Sequence, residues 1–417
     1  MLQFLQRIDN EVAQLIKQEK ERQEQTISLI ASESLVSVAI MAASGSVFTN
    51  KSVEGYPGAR YHGGVKYVDA IEELAIRRAK ELFGAEYANV QPHSGTNANV
   101  AVYLATLKPG DAVLAMNLVD GGHLTHGHPL NLSGQFYRFF HYRVNKDTGL
   151  IDYDEVEKLA LEHRPKMLVA GSSAYSRLID WEKLRVIADK VSAYFMVDMA
   201  HIAGLVAAEV IPSPVPYAHF VTSSTYKTLC GPRGGFILAQ KEFGPALNQA
   251  VFPGSQGSII VANMAAKAVA FKMALTPEFR QTGTQIVKNA QALAQGLQAE
   301  GLKVVSGGTD THLMLVDLRN KAIRGNEAQE ALEEIGISTN RNLIPFDPEK
   351  ATVTSGLRLG TVSVTNRGME EEEMRLIAQA ISRALNNLRD ARVTTELKEQ
   401  VVDLCRRFPI PDYDSLY

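Results

Sequence analysis

The sequence predicts an α/β fold in which a mostly parallel sheet is covered by helices on both faces. Two observations indicate it: strand-like and helical runs alternate from about residue 50 to 285, and the chain is long enough to bury a large core. The strand-like runs are AEYANVQ, DAVLAM, KMLVAGSS, AYFMVD, HFVTSS and GGFILAQ. Strands that are separated by helices form a mostly parallel sheet, so we expect helices on both of its faces.

Composition narrows the class of protein. The chain has 417 residues, of which 45% are hydrophobic and 21% charged, and its formal net charge of −3 gives no support for a nucleic-acid partner. Its two cysteines, Cys230 and Cys405, have no metal-ligand spacing, which fits a reducing compartment. The N-terminal residues lack the pattern of a secretory signal, and no apolar stretch approaches the roughly 20 residues of a membrane span. We therefore expect a cytoplasmic enzyme.

Residues 1–49 are predicted to form an N-terminal helical arm. Apolar side chains recur at helical spacing at Leu5, Ile8, Val12 and Leu15, which predicts one amphipathic helix up to about residue 26. Two interpretations stay open. The helix packs on its own domain, or it is an arm that crosses a subunit boundary.

Residues 50–285 are predicted to form the large domain. Its clearest helix is IEELAIRRAKELFG. We expect Asp69 to be the N-cap of this helix, Glu72 its capping-box partner and Gly84 its C-terminal stop.

The regular alternation of strands and helices ends near residue 285, and residues 286–417 are predicted to form a smaller α+β domain. A long helix, TGTQIVKNAQALAQGLQAEG, is followed by THLMLVDLR, the helical NEAQEALEEIG and the loop NRNLIPFDPEK. TSGLRLGTVSVT and the helix MEEEEMRLIAQAISRALNNL complete it. The acidic run from Glu370 to Glu373 suits the start of that last helix, where the helix dipole favours negative charge.

Lys227 and Asp198 carry the clearest chemical signal. Asp198 and Ser94 fall at the ends of strand-like runs and Lys227 follows one closely, so all three are expected at the carboxyl edge of the sheet, where ligands bind in such folds. A lysine amine can form a Schiff base with an aldehyde cofactor, and a buried carboxylate can keep a pyridine nitrogen protonated. The pair predicts a pyridoxal phosphate (PLP) site, whereas a lysine alone in this position is usually just solvated.

The segment PHSGTNAN, residues 92–99, places small and hydroxyl residues where a strand turns into a helix. Main-chain N–H groups at such a helix start, aided by the helix dipole, make an anion site suited to a phosphate. Serine and glycine also simply cap helices, so the segment alone is a weak signal. No GxGxxG or GxxxxGK[ST] motif follows a strand, which counts against dinucleotide or Walker-type binding.

The glycine-rich loop GGHLTHGH, residues 121–128, contains three histidines. They invite a metal interpretation, but there is no HExxH motif and no carboxylate or cysteine at suitable spacing, so we expect no metal. An imidazole that stacks flat on an aromatic cofactor needs glycine neighbours, and His123 is the candidate for that role.

Two further fragments contain candidate substrate contacts. EGYPGARYHGG joins the carboxylate of Glu54 to aromatic rings, and its alternative interpretation is a surface turn with a solvated glutamate. TSGLRLG holds Arg358 between apolar residues, where a guanidinium could bind a substrate carboxylate through two hydrogen bonds or form a structural ion pair.

In this order, the fragments resemble the serine hydroxymethyltransferase family, PLP enzymes of the aspartate aminotransferase-like fold type I. The resemblance covers nearly the whole chain. It is carried by LIASES, EGYPGARY, ANVQPHSG, GGHLTHG, MLVAGSSAY, VDMAHIAGLVAA, TSSTYKTLCGPRGG, VFPGSQG, VSGGTDTHL and TSGLRLGT. It implies tetrahydrofolate as co-substrate and a homodimer or tetramer whose subunits share active sites.

The resemblance also implies roles for particular residues. Those assigned to the cofactor are Lys227 for the Schiff base, Asp198 for the pyridine nitrogen, His123 for stacking, and Ser94, Gly95, Ser173, His201, Ser224 and Gly257 around the ring and phosphate. Those assigned to the substrate are Ser32 and Arg358 for the carboxylate, with Glu54 as the acid/base group beside Tyr61. Those assigned to folate are Leu118, Leu124, Phe252 and Asn342.

Departures from the family pattern fall at several of the positions where the family contacts PLP or the substrate. The family usually has tyrosine at positions 52 and 62, histidine at 120 and 226, and arginine at 230. This chain instead has Ser52, His62, Asp120, Tyr226 and Cys230, the run Gln256, Gly257, Ser258, Ile259 for QGGP, and the run Gly360, Thr361, Val362, Ser363 for GTPA. The departures predict a divergent member with altered substrate choice.

Three hypotheses for function follow. The first is serine/glycine interconversion with tetrahydrofolate, favoured by Glu54, Phe252 and Asn342. The second is an α-methylserine hydroxymethyltransferase or aldolase, or a threonine-type aldolase, favoured by Ser52, His62 and Tyr226. The third is a non-catalytic, partner-binding protein on this fold, which is disfavoured because the chain retains Lys227, Asp198, Arg358 and Glu54.

Overall fold

The computed structural model describes residues 2–413 and divides the chain into two compact units. One unit runs from Ala39 to Thr284. The other combines the residues up to Val38 with those from Gln285 onward. The segment 1–49 therefore contributes to both units.

Helices cover much of the described chain. They are α1 (Leu2–Ile8), α2 (Asn10–Gln25), α3 (Val38–Ser44), α4 (Lys66–Phe83), α5 (Gly95–Thr106), α6 (Leu132–Phe136), α7 (Tyr153–His163), α8 (Trp181–Lys190), α9 (Ala203–Ala207), α10 (Gly244–Gln249), α11 (Val261–Ala274), α12 (Pro277–Ala299), α13 (Gly325–Glu334), α14 (Val362–Asn366), α15 (Glu371–Asn386) and α16 (Ala391–Arg407). Within residues 2–413, no helix is both long and apolar enough to cross a membrane.

Strands form four sheets. They are β1 (Ile27–Ser28), β2 (Gly55–Tyr56), β3 (Ala59–Arg60), β4 (Tyr87–Asn89), β5 (Ala112–Met116), β6 (Arg138–Tyr142), β7 (Met167–Ala170), β8 (Tyr194–Asp198), β9 (Phe220–Ser224), β10 (Gly235–Ala239), β11 (Lys303–Val304), β12 (Leu313–Asp317), β13 (Ile337–Ser338), β14 (Asn340–Asn342) and β15 (Gly356–Gly360).

The unit of residues 39–284 is built on a seven-stranded sheet in the order β4-β10-β9-β8-β7-β5-β6. The strands from β6 to β9 are parallel, and β10 runs antiparallel to both of its neighbours. All six predicted strands are present, and the predicted fold class is confirmed. Strand β6 was not predicted, because most of its residues at the sheet edge are only half-buried or exposed and lack a clear apolar run.

The core of this unit lies between the sheet and helix α5. Val169, Met196 and Phe220 of the central strands are fully buried, and they share a hydrophobic cluster with Ala101 and Val102 of α5. Continuous apolar runs in these strands are typical of parallel sheets covered on both faces.

Helix α4 begins earlier than the sequence predicts. It starts at Lys66, so Asp69 lies within the first turn and is not the N-cap. The Asp69 carboxylate instead accepts hydrogen bonds from Arg60 at 2.8 Å and from the main chain of Gly58 at 3.1 Å. The predicted stop at Gly84 is correct, because this residue has the left-handed φ of 65° that glycine favours.

The predicted N-terminal helix is interrupted at Asp9. The chain leaves helical geometry there, and the Asp9 carboxylate accepts a hydrogen bond from the N–H of Val12 to cap α2. Within its own unit α2 contacts α16 and buries Ala13 completely. The apolar face predicted for this N-terminal segment is largely exposed: Ile8 of α1 is 75% and Leu15 of α2 is 64% exposed.

The unit that contains the C-terminal residues has an antiparallel sheet in the order β11-β12-β15-β14, with β1 and β13 paired in parallel beside it. Helix α15 starts as predicted, because Glu370 and Glu373 form a reciprocal capping box. Strand β14 lies in a segment predicted as a loop, and α16 was not predicted.

Candidate active site

A cavity opens at the carboxyl edge of the seven-stranded sheet. Asp198 is the last residue of β8, and Lys227 follows three residues after β9. Ser94 caps the start of α5. The residues that line the cavity are Ser94, Gly95, Thr96, His123, Ser172, Ser173, Asp198, Ala200, His201, Ser224, Tyr226 and Lys227. The structure thus brings the predicted lysine and carboxylate to one cavity.

Asp198 is held by side chains from other segments. Its Oδ2 accepts a hydrogen bond from Asn99 Nδ2 at 2.8 Å and lies 3.2 Å from His126 Nε2. Its Oδ1 accepts a hydrogen bond from the main chain of Ala200 at 3.0 Å. Asn99 is fixed in turn, because Thr222 Oγ1 donates to its Oδ1 at 2.5 Å. The carboxylate therefore has a defined orientation within this one chain.

The environment keeps Asp198 ionised. Burial alone would raise the pKa of this carboxyl, but the hydrogen bond from His126 and the charges of His126 and His123 outweigh it. The pKa of Asp198 is therefore well below its ordinary value. A fixed negative charge in a buried site is what a protonated pyridine nitrogen requires.

Gly171 makes the close packing around Asp198 possible. This residue follows β7 with a φ of +107°, and any Cβ added to it would collide with the main-chain carbonyl of Asp198. Only glycine fits both the left-handed backbone and the narrow space.

The histidine loop contributes two rings to the site. His123 Nδ1 lies 2.7 Å from Thr125 Oγ1, and the ligand atoms of His123, His126 and Asp198 all lie within 4.8 Å of one another. Such a cluster could also hold a metal ion. No carboxylate lies close to the histidines along the sequence, because Asp198 is brought to them only by the fold.

Ser94, Gly95 and Ser224 form a part of the cavity wall, called the phosphate end below, that fits a phosphate. Ser94 Oγ caps α5 by accepting a hydrogen bond from Asn97 N at 3.2 Å, so main-chain N–H groups of the first helical turn face this end. Ser224 is 1% exposed, and its Oγ finds no hydrogen-bond partner within the described part of the chain. A buried hydroxyl without a partner costs free energy unless a ligand completes it. These residues therefore fit the cofactor that Lys227 and Asp198 suggest.

The family model described as serine hydroxymethyltransferase matches residues 5–381. The chain belongs to the serine hydroxymethyltransferase family. The predicted family and the PLP fold type I are thereby confirmed. Members of this family are PLP-dependent hydroxymethyltransferases of one-carbon metabolism, and this general description applies to the chain.

Several residues that the family resemblance implicates lie outside the cavity of their own chain. Glu54 is half-buried, and the nearest atom to a Cβ built on Gly257 is Glu54 Oε1 at 3.5 Å. Tyr61 is 77% exposed, with its ring centroid 5.7 Å from that of Phe252. Leu124 is 49% exposed. None of these residues lines the cavity, and Leu118 and Phe252 are half-buried like Glu54.

The Glu54 loop is nevertheless well anchored. Val53 N donates to Ser258 Oγ at 3.0 Å, and Tyr61 N donates to the Glu54 carbonyl at 3.2 Å. Gln91 Nε2 donates to the carbonyl of Gly55 at 3.0 Å. The backbone around the carboxylate is therefore held in place.

Three of the implicated residues belong to the other unit. Arg358 lies on β15, and its Nε donates to Asn340 Oδ1 at 3.1 Å. Burial lowers the pKa of Arg358 to about 10, so its guanidinium is charged at neutral pH. Ser32 and Asn342 are both half-buried in this unit.

The departures from the family pattern fall into different environments. Asp120 does not line the cavity: it is buried, and its carboxylate accepts two hydrogen bonds from Arg143, at 2.6 and 2.8 Å. Tyr226 does line the cavity, and its ring lies 4.1 Å from the guanidinium carbon of Arg233. Ser52 and His62 are exposed. Among these four, only Tyr226 changes a wall of the cofactor cavity within one chain.

Sequence reasoning missed the residues that hold Asp198. His126 lies in the histidine loop and Asn99 in PHSGTNAN, but the sequence predicts no role for either side chain. Their helical and loop positions gave no sign that they meet Asp198. The signal that could have found them is that a buried carboxylate needs donors, which polar residues in neighbouring motifs can supply.

Proposed function

We propose that this member of the family transfers the hydroxymethyl group of serine to tetrahydrofolate and forms glycine, and that it also runs the reverse reaction. The observation that carries the proposal is that Lys227 and an ionised Asp198 line one buried cavity. Ser224 lines the same cavity, and its hydroxyl, which has no hydrogen-bond partner among the described residues, adds support. Fixed charge and orientation of this kind provide most of the rate enhancement in enzymes.

The cavity residues would hold PLP by its functional groups. Lys227 would bind its aldehyde carbon and Asp198 its pyridine nitrogen, while His123 would stack on the ring. Ser94, Gly95 and Ser224 would bind the phosphate, with Ser173 and His201 near the ring oxygen. When bound, PLP supplies an acceptor for the electron pair released as a bond at the amino-acid α-carbon breaks.

The remaining steps belong to the side chains of the protein. Asp198 would stabilise a proton on the pyridine nitrogen, because the lowered pKa of Asp198 keeps this carboxylate ionised. Arg358, with Ser32, would bind the substrate carboxylate and fix which α-carbon bond breaks. Glu54 would move a proton at the hydroxymethyl oxygen, beside Tyr61. Leu118, Leu124, Phe252 and Asn342 would contact the folate.

We place the Glu54 loop of one subunit at the cavity of a second subunit, in a homodimer or tetramer. Two observations support this: neither Glu54 nor Tyr61 lines the cavity of its own chain, and Tyr61 is 77% exposed. The exposed apolar face of α1 and α2, which includes Phe4 at 70%, supports the interpretation of this segment as an arm between subunits.

The decisive experiment is a steady-state assay with serine, with and without tetrahydrofolate. We expect turnover that requires the folate, and a yellow purified protein whose colour disappears on borohydride treatment. A colourless protein that gains no absorbance when PLP is added would support the non-catalytic alternative and overturn the proposal.

A second candidate is transfer or aldol cleavage of an α-substituted substrate such as α-methylserine, or a threonine-type aldolase. Tyr226 favours it, because a tyrosine replaces the usual histidine in the cavity wall next to Lys227. The two candidates separate when serine and α-methylserine are compared under identical conditions. Faster turnover of α-methylserine would replace the first proposal by the second.

A further inference from the structure

Lys267 is a buried cation that the proposed reaction does not use. It lies on α11 and is only 3% exposed. Its ammonium donates hydrogen bonds to three main-chain carbonyls, of Val90 at 2.7 Å, Pro92 at 3.0 Å and Gly235 at 2.8 Å. A lysine ammonium has three N–H donors, so these carbonyls use all of them.

The three carbonyls belong to segments that build the phosphate end of the cavity. Val90 and Pro92 lie in the connection from β4 to α5, and Ser94 caps α5 two residues later. Gly235 begins β10, and its N–H donates to the Pro92 carbonyl at 3.0 Å. The ammonium therefore ties the loop before Ser94 to the first residue of β10.

The hydrogen bond from Lys267 to Gly235 also affects Ser224, the other serine of the phosphate end. Gly235 is the cross-strand partner of Ser224, and a Cβ added to Gly235 would collide with the carbonyl of Ser94. Ser94 thus lies two residues after a carbonyl that Lys267 holds, and Ser224 lies on the strand opposite another. A shift of this carbonyl cluster would move both serines.

The geometry points to Lys267 as a positioning residue that shapes the binding site for the cofactor phosphate, an inference that rests on the proposed assignment of Ser94, Gly95 and Ser224 to that phosphate. The lysine acts through the loop and does not touch the ligand. Its loss should therefore weaken binding of a phosphorylated ligand more than binding of the same ring without phosphate.

The other side of the loop supports this role. Gln91, between the two carbonyls, donates to Glu72 Oε1 at 2.7 Å, and Arg60 pairs with the same glutamate at 2.5 Å. Burial lowers the pKa of Lys267 to about 7, and the charge of Glu72 acts in the opposite direction. The three carbonyl acceptors interact more favourably with the charged ammonium than with a neutral amine, because hydrogen bonding to the charged form stabilises it.

The test compares PLP with pyridoxal, which lacks the phosphate, as ligands of the apoprotein. In Lys267→Met we expect the Kd of PLP to rise at least about tenfold, which is about 1.4 kcal/mol, while the Kd of pyridoxal changes less than about threefold. The control is Lys272→Met, because Lys272 is exposed on the same helix. Both dissociation constants should stay unchanged in this control.

A second variant covers the case in which the first does not fold. Lys267→Gln keeps an N–H donor and should give a smaller change in the same direction. Equal weakening of PLP and pyridoxal, no weakening of either, or loss of folding in both variants would overturn the inference. A wild-type protein that fails to bind PLP would instead contradict the proposed function, so the two failures are distinguishable.

Discussion

The cofactor cavity and the Glu54 loop belong to the same unit, yet they differ in completeness. Asp198 and Lys227 are each 8% exposed, and the carboxylate has all of its donors within one chain. The Glu54 side chain, by contrast, is only half-buried, and Tyr61 beside it is 77% exposed. The fold of one chain alone fixes the buried charge of Asp198. The Glu54 loop, which is proposed to act on the one-carbon unit, needs the surface of a second subunit to complete it.

The largest effect is expected in the cofactor cavity. Lys227→Ala removes the only amine that lines the cavity in the described structure. We therefore expect multiple turnover to be abolished, measured as glycine formed per subunit. Thermal unfolding should be affected much less, because the lysine is not part of the hydrophobic core. Turnover close to that of the wild type would contradict the assignment.

In the Glu54 loop, Glu54→Gln should lower the rate of hydroxymethyl transfer by about 10²–10⁴-fold, the usual contribution of a positioned acid/base group. Binding of the amino acid, followed by the absorbance change of the bound cofactor, should persist. Normal transfer in this variant would make Glu54 a structural carboxylate.

The same variant tests whether sites are shared between subunits. If Glu54 serves the neighbouring cavity, co-expressed Lys227→Ala and Glu54→Gln chains should recover about a quarter of wild-type activity in a dimer, because half of the randomly paired molecules have one intact site. Each variant expressed alone provides the control. No recovery in an exchanging dimer would place both residues in one chain's site.

Asp198→Asn should have a somewhat smaller effect, a loss of about 10²–10³-fold, comparable to removal of one preorganised electrostatic group. The hydrogen-bonding shape remains while the charge is lost. Because the pKa of Asp198 lies below its unfolded value, the charge contributes stability that is fully present above about pH 4 and is lost as the pH falls further. The advantage of the wild type over the variant in unfolding free energy should therefore shrink as the pH is lowered from about 4, and an advantage that stays constant down to about pH 2 would contradict the lowered pKa.

The sequence predicted most of the parallel sheet, because its strands are apolar runs bounded by helices. It also predicted Lys227 and Asp198, because an amine and a carboxylate at the ends of such strands indicate a cofactor site directly. It missed β6, whose residues are only partly buried, and it placed Asp69 at a cap although Arg60 pairs with it. His126 and Asn99 could not be assigned, since their role arises only where segments distant along the chain meet.

The smallest effect is expected at Tyr226 and Asp120, two departures from the family pattern of which only Tyr226 lines the cavity. Tyr226→His restores the usual family residue in the cavity wall, so the ratio of kcat/KM for serine to that for α-methylserine should change by about tenfold in favour of serine, the discrimination expected for one methyl group. Asp120→His also restores a family residue, but it removes the buried partner of Arg143 outside the cavity. It should cost about 1–3 kcal/mol of stability, measured by denaturant unfolding, and leave the substrate ratio unchanged. An unchanged ratio in Tyr226→His, or a changed one in Asp120→His, would show that the wall beside Lys227 does not set the choice of substrate.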